Sequence, residues 1–285
     1  RIVDSMASQH AKWLKICSEL PWRRPIASLN YVLSSNVWQQ DHNGYTHQDP
    51  GFINHVLNKK RDIVDVYLPY DSNSLIYYID KAAKSVNKVN TIIGSKHERP
   101  QWLSPEETIK HCDKGIGIWE FASHENPDVV LVCAGETPTM EVMAATSIIR
   151  EKSNIKVRVV NVVDLLTLEK ISDEEFNNIF TPDKPIVFAF HGYPTVIKEL
   201  LYKRNRQVKV FGYEEEGAIT TPFDMRVLNS IDRYHLVISV VDSLNNIDME
   251  LKKYCQDTLM KHYEYIRETG KDIDEVLNWK WKDAE

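Results

Sequence analysis

The chain has 285 residues, of which 42% are hydrophobic and 27% charged, with a formal net charge of −6. This is the composition of an ordinary globular protein with one or two domains, and it excludes disordered and low-complexity classes. The acidic balance and the absence of long basic runs predict no nucleic-acid partner. Apolar runs stay far below the roughly 20 residues of a membrane span, so none is predicted.

The four cysteines, Cys17, Cys112, Cys133 and Cys255, are far apart and form no CxxC pair. A chain of this size does not need disulfides to fold, which favours reduced thiols in the core and a cytoplasmic location. The chain begins at Arg1 and enters a helical pattern of apolar residues at once, with Ile2, Met6 and Trp13 among them. We therefore expect it to be a piece of a longer polypeptide.

After this first helix, strands and helices alternate along the sequence. The first half contains a strand at 28–37, a helix at 52–57, and strands at 63–68 and Val89–Ile93 around a helix at 74–86. A strand Val129–Ala134 follows, then a turn at 135–138, a helix at 139–151, a strand at 156–163 and a helix at 173–179 capped by Ser172. The last predicted elements are a strand at 185–190, a helix at 194–204, a strand at 208–213, and a long helix from Pro222 capped by Thr221.

This alternation predicts an α/β protein with parallel, helix-covered sheets. A polar stretch near residues 120–128 suggests two units, 1–124 and 125–285. The tail beyond Leu244 carries Tyr263, Tyr265, Trp279 and Trp281, which we interpret as a helical segment docked on the core. Because ligands of such sheets bind at the carboxyl ends of the strands, the loops at those ends are where we expect chemistry.

The loop after the first strand is the most polar of these. It holds His42 and His47 among amide and carboxylate side chains. Imidazoles transfer protons near neutral pH, and amides bind hydroxyl or phosphate oxygens. Two other interpretations stay open: a hydrogen-bonded surface turn, and a zinc site of His42, His47 and Asp49, although the spacing matches no metal signature.

Several cofactor motifs are missing from the chain. It contains no GxGxxG, no GxxxxGK[ST], no GxSxG, and no Gly-Asp-Gly followed by Asn, the pattern that holds a diphosphate through a metal ion. No nucleotide-like cofactor is therefore predicted to bind through these residues alone.

Four segments resemble the phosphoketolases, a family of thiamine-diphosphate enzymes. They are WRRPIASLNYVLSSNVWQQDHNGYTHQDPG (22–51), VYLPYDSN with IIGSK (66–96), KVRVVNVVDLLTL (156–168), and FHGYP with GYEEEGAITTPFDMRVLN (190–229). The resemblance implies the end of a pyrimidine-binding domain, at 1–124, followed by the family's transketolase-like C-terminal domain, at 125–285. It also implies that the domain holding the diphosphate and Mg²⁺, and the glutamate that activates the cofactor, lie upstream.

The resemblance assigns roles to five residues of this chain. It implies that His42 and His47 are catalytic, and that Gln40, Asn43 and Lys96 bind the sugar phosphate or inorganic phosphate. Gln39 departs from the family pattern, which has an Arg there. No metal ligand is assigned within the chain.

The function implied is cleavage of xylulose 5-phosphate, fructose 6-phosphate or both, with inorganic phosphate, to acetyl phosphate and an aldose phosphate. The implied cofactors are thiamine diphosphate and Mg²⁺, the implied assembly is a homodimer, and the isolated chain is expected to be inactive. Two alternatives remain: a non-catalytic dimerisation module of the same enzyme type, and a transketolase, against which the HQDPG run argues.

Overall fold

A computed structural model describes residues 2–34, 36–39, 49–217 and 220–282. Their strands form two sheets. The first is entirely parallel, with the strand order β1-β3-β2. Its strands are β1 (Leu29–Leu33), β2 (Val64–Tyr67) and β3 (Val89–Ile93), and its helices are α1 (Ile2–Glu19), α2 (Gly51–Leu57) and α3 (Ser72–Lys84).

The second sheet has five strands in the order β4-β6-β5-β7-β8. They are β4 (Ile116–Ile118), β5 (Val129–Ala134), β6 (Val157–Val162), β7 (Ile186–Phe190) and β8 (Val208–Phe211). All pair in parallel except β4, which is antiparallel to β6. The predicted α/β fold with parallel sheets is therefore confirmed.

The remaining helices cover the sheets and form the tail. They are α4 (Pro105–Lys114), α5 (Glu136–Lys152), α6 (Thr167–Lys170), α7 (Asp173–Phe180), α8 (Pro194–Leu200), α9 (Pro222–Leu228), α10 (Arg233–Ser243), α11 (Met249–Thr269) and α12 (Asp274–Leu277). Ser172 and Thr221 cap α7 and α9 by accepting backbone N–H groups, as predicted.

Two predicted elements were wrong. The turn expected at 135–138 belongs to α5, because Gly135, with φ of +106°, lets β5 pass directly into a helix at Glu136. The long helix expected from Pro222 ends at Leu228, and Ser230 adopts a positive φ of 56° before Asp232 caps α10.

The two sheets share a hydrophobic core. The backbone N–H of Leu68, after β2, donates to the Val163 carbonyl at 2.7 Å, and one buried cluster contains residues from both sheets. β4 lies within residues 1–124 yet pairs with β6, while the division at 124 itself stays a prediction.

The tail docks on this core. Tyr265, Trp279 and Trp281 pack against the buried residues, whereas Tyr263 is exposed. Trp279 and Trp281 lie after α12, so the prediction of a helix there was wrong. Among the described residues all four cysteines are buried and unpaired. Within the same ranges, no helix has both the length and the apolar character needed to cross a membrane.

Candidate functional site

The carboxyl ends of four strands, β1, β3, β5 and β7, bring together the polar groups of the candidate site. The segment 36–39 follows β1, the loop 94–99 follows β3, Glu136 follows β5 and His191 follows β7. Parallel strands point the same way, so loops far apart in sequence meet at one edge.

The segment after β1 is anchored by a buried tryptophan. Trp38 is fully buried, and its indole Nε1–H donates to the backbone carbonyl of His191 at 3.1 Å. Its backbone N–H donates to Oδ1 of Asn36 at 3.0 Å. This short 3-10 turn, Val37–Gln39, is thereby fixed at the position where the polar loop of the sequence begins.

The loop after β3 is tied to the same turn. The Ser95 hydroxyl donates to Oε1 of Gln39 at 3.2 Å and accepts the backbone N–H of His97 at 3.1 Å. Lys96 lies between these two residues and is exposed. Its backbone is therefore held by its neighbours, while its side chain faces solvent.

Glu136 connects the two loops from the opposite side. It is 6% exposed and lies in the first turn of α5, where the helix dipole favours a carboxylate. Its Oε2 accepts the side-chain amide N–H of Asn36 at 2.7 Å, and its Oε1 is paired with the Arg99 guanidinium. Burial lowers the pKa of Arg99 to about 10, so it stays charged at neutral pH.

These groups border a small cleft of about 40 Å³ between the ends of β2 and β3. Its lining includes Asp71, Ser95, His97, Arg99 and Glu136. A space of this size admits one or two water molecules and no sugar.

His191 contributes a neutral imidazole beside Gly135, at the start of α5. It is 3% exposed, and burial lowers its pKa to about 4. Its Nδ1 has no hydrogen-bond partner among the described residues. Its Cβ lies 2.8 Å from the position that a Cβ on Gly135 would occupy, and Gly135 has a φ of +106°, so the start of α5 depends on this glycine.

Only one of the five site residues predicted from the sequence lies in the described part of the chain. Gln40, His42, Asn43 and His47 lie outside the described residues, and Lys96 alone of the five can be located, exposed on the loop after β3. Their assignment stays a prediction, as does the zinc alternative at His42, His47 and Asp49.

Asn36, Arg99 and Glu136 were not predicted from the sequence. Asn36 and Glu136 are separated by 100 residues, so no local pattern relates them. A usable signal was nevertheless present for Glu136, which lies two residues after the predicted buried strand Val129–Ala134. Asn36 lies near the end of the strand predicted at 28–37. Polar residues at such strand ends belong to the region where ligands of parallel sheets bind.

Comparison with known proteins gives relatives along nearly the whole chain. A protein named "Probable phosphoketolase" from Nitrosomonas europaea is 53% identical over 98% of this chain and 38% of its own length. One of the same name from Clostridium acetobutylicum is 50% identical over 99% of this chain and 37% of its own length. The chain thus spans little more than a third of these relatives.

Solved structures with a similar fold are transketolases. A transketolase from Pichia stipitis superposes with a TM-score of 0.61 at 18% identity, over 76% of this chain and 30% of that chain. A split-gene transketolase, described as an inactive tetramer of four beta chains, superposes with a TM-score of 0.58 at 18% identity, over 78% of this chain and 68% of that chain. At such identities the likeness shows a transketolase C-terminal-like fold alone.

Two family models match, and together they cover most of the sequence. The D-xylulose 5-phosphate/D-fructose 6-phosphate phosphoketolase model matches residues 1–85, and the model of that family's C-terminal domain matches residues 96–281. The chain therefore belongs to the phosphoketolase family and contains its C-terminal domain.

Proposed function

We propose that this chain is part of a phosphoketolase that cleaves xylulose 5-phosphate, fructose 6-phosphate or both. Inorganic phosphate is the second substrate, and the products are acetyl phosphate with glyceraldehyde 3-phosphate or erythrose 4-phosphate. The observation that carries this proposal is the pair of family-model matches, at 1–85 and 96–281, one of which is described by these two sugars.

The chain's own residues would bind anions and move protons. Lys96 is an exposed cation on a loop held by Ser95, which suits a phosphate that arrives from solvent. In the proposal, His42 and His47 hold and deliver protons at substrate oxygens, since imidazole titrates near the working pH. Gln40 and Asn43 supply amide donors that orient the same oxygens.

Thiamine diphosphate and Mg²⁺ are the cofactors implied by the family, and thiamine diphosphate supplies the carbanion stabilisation that carbon–carbon cleavage requires. The described residues do not fit the metal-diphosphate end, because in these ranges no three His, Cys, Asp or Glu side chains are grouped as metal ligands. We propose that both cofactors are held by a part of the family's enzyme outside this sequence, and that this chain alone is inactive.

A second candidate, an assembly module, is favoured by the surface of α1. Ile2, Met6, Trp13 and Ile16 are exposed along one helix face, with exposed fractions between 45% and 77%. An apolar stripe of this kind is typical of a surface that contacts protein. In the complete enzyme the two functions are compatible, and we propose a homodimer. A transketolase is less well supported, since the two transketolases described above are 18% identical to this chain and the two phosphoketolase relatives 53% and 50%.

We further propose that the enzyme works in the cytoplasm. The support is chemical: the four cysteines are buried and unpaired in the part of the chain that is described. Unpaired thiols are typical of reducing compartments.

The test is acetyl phosphate production by the full-length enzyme that carries this C-terminal portion. Changing His42→Ala or His47→Ala should lower kcat by roughly 10²–10⁴-fold, the span of lost acid–base catalysis. His124→Ala is the matched control, because His124 precedes β5 at the opposite end of the sheet and should leave kcat nearly unchanged. Full activity in both histidine variants would refute the assigned roles.

A further inference from the structure

The loop that carries Lys96 is fixed by two separate ties to the segment after β1. One is direct, from the Ser95 hydroxyl to Gln39 at 3.2 Å. The other runs through α5: Asn36 donates to Glu136 at 2.7 Å, and Glu136 is paired with Arg99, three residues after Lys96. Lys96 thus lies between two fixed points, Ser95 and Arg99.

Glu136 is the first residue of α5, which follows β5 of the second sheet, whereas the two loops that it joins follow strands of the first sheet. A buried carboxylate is stable only when its charge is paired and its oxygens accept hydrogen bonds. Asn36 supplies a hydrogen bond from one loop, and Arg99 pairs with the charge from the other. The carboxylate therefore specifies their separation, and the rigid start of α5 specifies where both of them lie.

From this geometry we infer that Glu136 and Arg99 are positioning residues that hold Lys96 in place to bind inorganic phosphate. The inference rests on the proposed phosphoketolase function and concerns the phosphate part of the same site. Neither residue is required to touch substrate; each acts through the loop.

Glu136→Gln separates positioning from simple electrostatics. Glutamine can still accept the Asn36 amide, but its NH₂ group then faces the donors of Arg99, so the second tie is broken. Removing a negative charge near a phosphate site would by itself strengthen anion binding. If Glu136 instead acts by position, the phosphate KM of Glu136→Gln should rise, by roughly ten- to a hundredfold.

The control is Glu141→Gln, on the same helix. Glu141 is also buried and paired, but with Arg226 and Arg233 rather than with either loop. This variant should lose stability while keeping the phosphate KM. Arg99→Lys supplies an independent test that keeps the charge, and because Arg99 is 17% exposed this variant should fold. It cannot reproduce the planar guanidinium contact, so its phosphate KM should also rise.

The measurements are kcat and the two KM values of the full-length enzyme, with phosphate and ketose phosphate varied separately. We expect the phosphate KM to rise in Glu136→Gln and Arg99→Lys, with little change in the ketose phosphate KM. An unchanged or lowered phosphate KM in either variant would overturn the inference, and so would an equal rise in Glu141→Gln. Should Glu136→Gln not fold, Arg99→Lys decides. If the unsubstituted enzyme makes no acetyl phosphate, the proposed function itself fails.

Discussion

Glu141 offers a direct test of the charges buried in this fold. Its side chain is fully buried on α5, and it accepts hydrogen bonds from Arg226 at 2.7 Å and from three N–H groups of Arg233 at 2.9–3.1 Å. Burial alone would raise its pKa, but the two guanidinium groups outweigh this and lower the pKa from 4.5 to about 2.

The difference between these two pKa values can be converted into stability. At roughly 1.4 kcal/mol per pKa unit, it corresponds to about 3 kcal/mol. The folded pKa lies below the unfolded one, so this stabilisation is complete above about pH 4.5 and is lost as the pH falls toward 2. Glu141→Gln should cost about 3–5 kcal/mol at pH 6, because it leaves two cations incompletely paired.

The assay is urea denaturation of the chain at several pH values, followed by circular dichroism. The curves of free energy of unfolding against pH should lie far apart at pH 6 and converge as the pH falls below 4. Glu275→Gln, which removes an exposed partner of Lys261, is the control and should follow the unsubstituted chain throughout. Curves that stay parallel for Glu141→Gln would refute the reasoning, since the pairing would then not depend on the carboxylate charge.

Three further predictions concern the candidate site. Lys96→Ala should raise the phosphate KM of the full-length enzyme with little change in Tm. Lys12 is also exposed, and Lys12→Ala should alter neither quantity. If Lys96→Ala leaves the phosphate KM unchanged, Lys96 is a solvated loop residue with no part in phosphate binding. His191, with its pKa lowered to about 4 by burial, should remain neutral in an NMR titration from pH 8 to pH 5, and protonation near pH 6.5 would contradict its burial. Because His191 takes up its proton on unfolding, stability should decrease as the pH falls below about 6.5. Calorimetry should detect little or no thiamine diphosphate or Mg²⁺ binding by the 285 residues alone, and tight binding would show that the cofactor site has been misplaced.

The sequence predicted the buried strands best. β3 and β5 match their predicted bounds at both ends, because each is a short segment rich in β-branched residues and buried on both faces. β4 was not predicted, since three residues with a central Gly117 carry no periodicity. The predicted turn at 135–138 is the start of α5, because proline is tolerated in the first turn of a helix, where its missing N–H has no partner to lose.

The candidate site was predictable only where its residues are neighbours in sequence. Polar residues clustered after β1 suggested chemistry there, and Lys96 was added by the family resemblance rather than by any pattern of its own. Asn36, Arg99 and Glu136 meet only because the two sheets pack together. Contacts of this kind depend on tertiary structure, and periodicity within one element contains no information about them.

The arrangement around Lys96 suits a substrate that must both enter and leave. A fully buried lysine would bind phosphate tightly but would have to lose its hydration, and an unrestrained surface lysine would pay the conformational entropy of ordering at each binding event. Lys96 is exposed, while Ser95 is held by Gln39 and Arg99 by Glu136. The backbone is therefore ordered when the protein folds, and in the proposed role only the Lys96 side chain would still have to be ordered when phosphate binds.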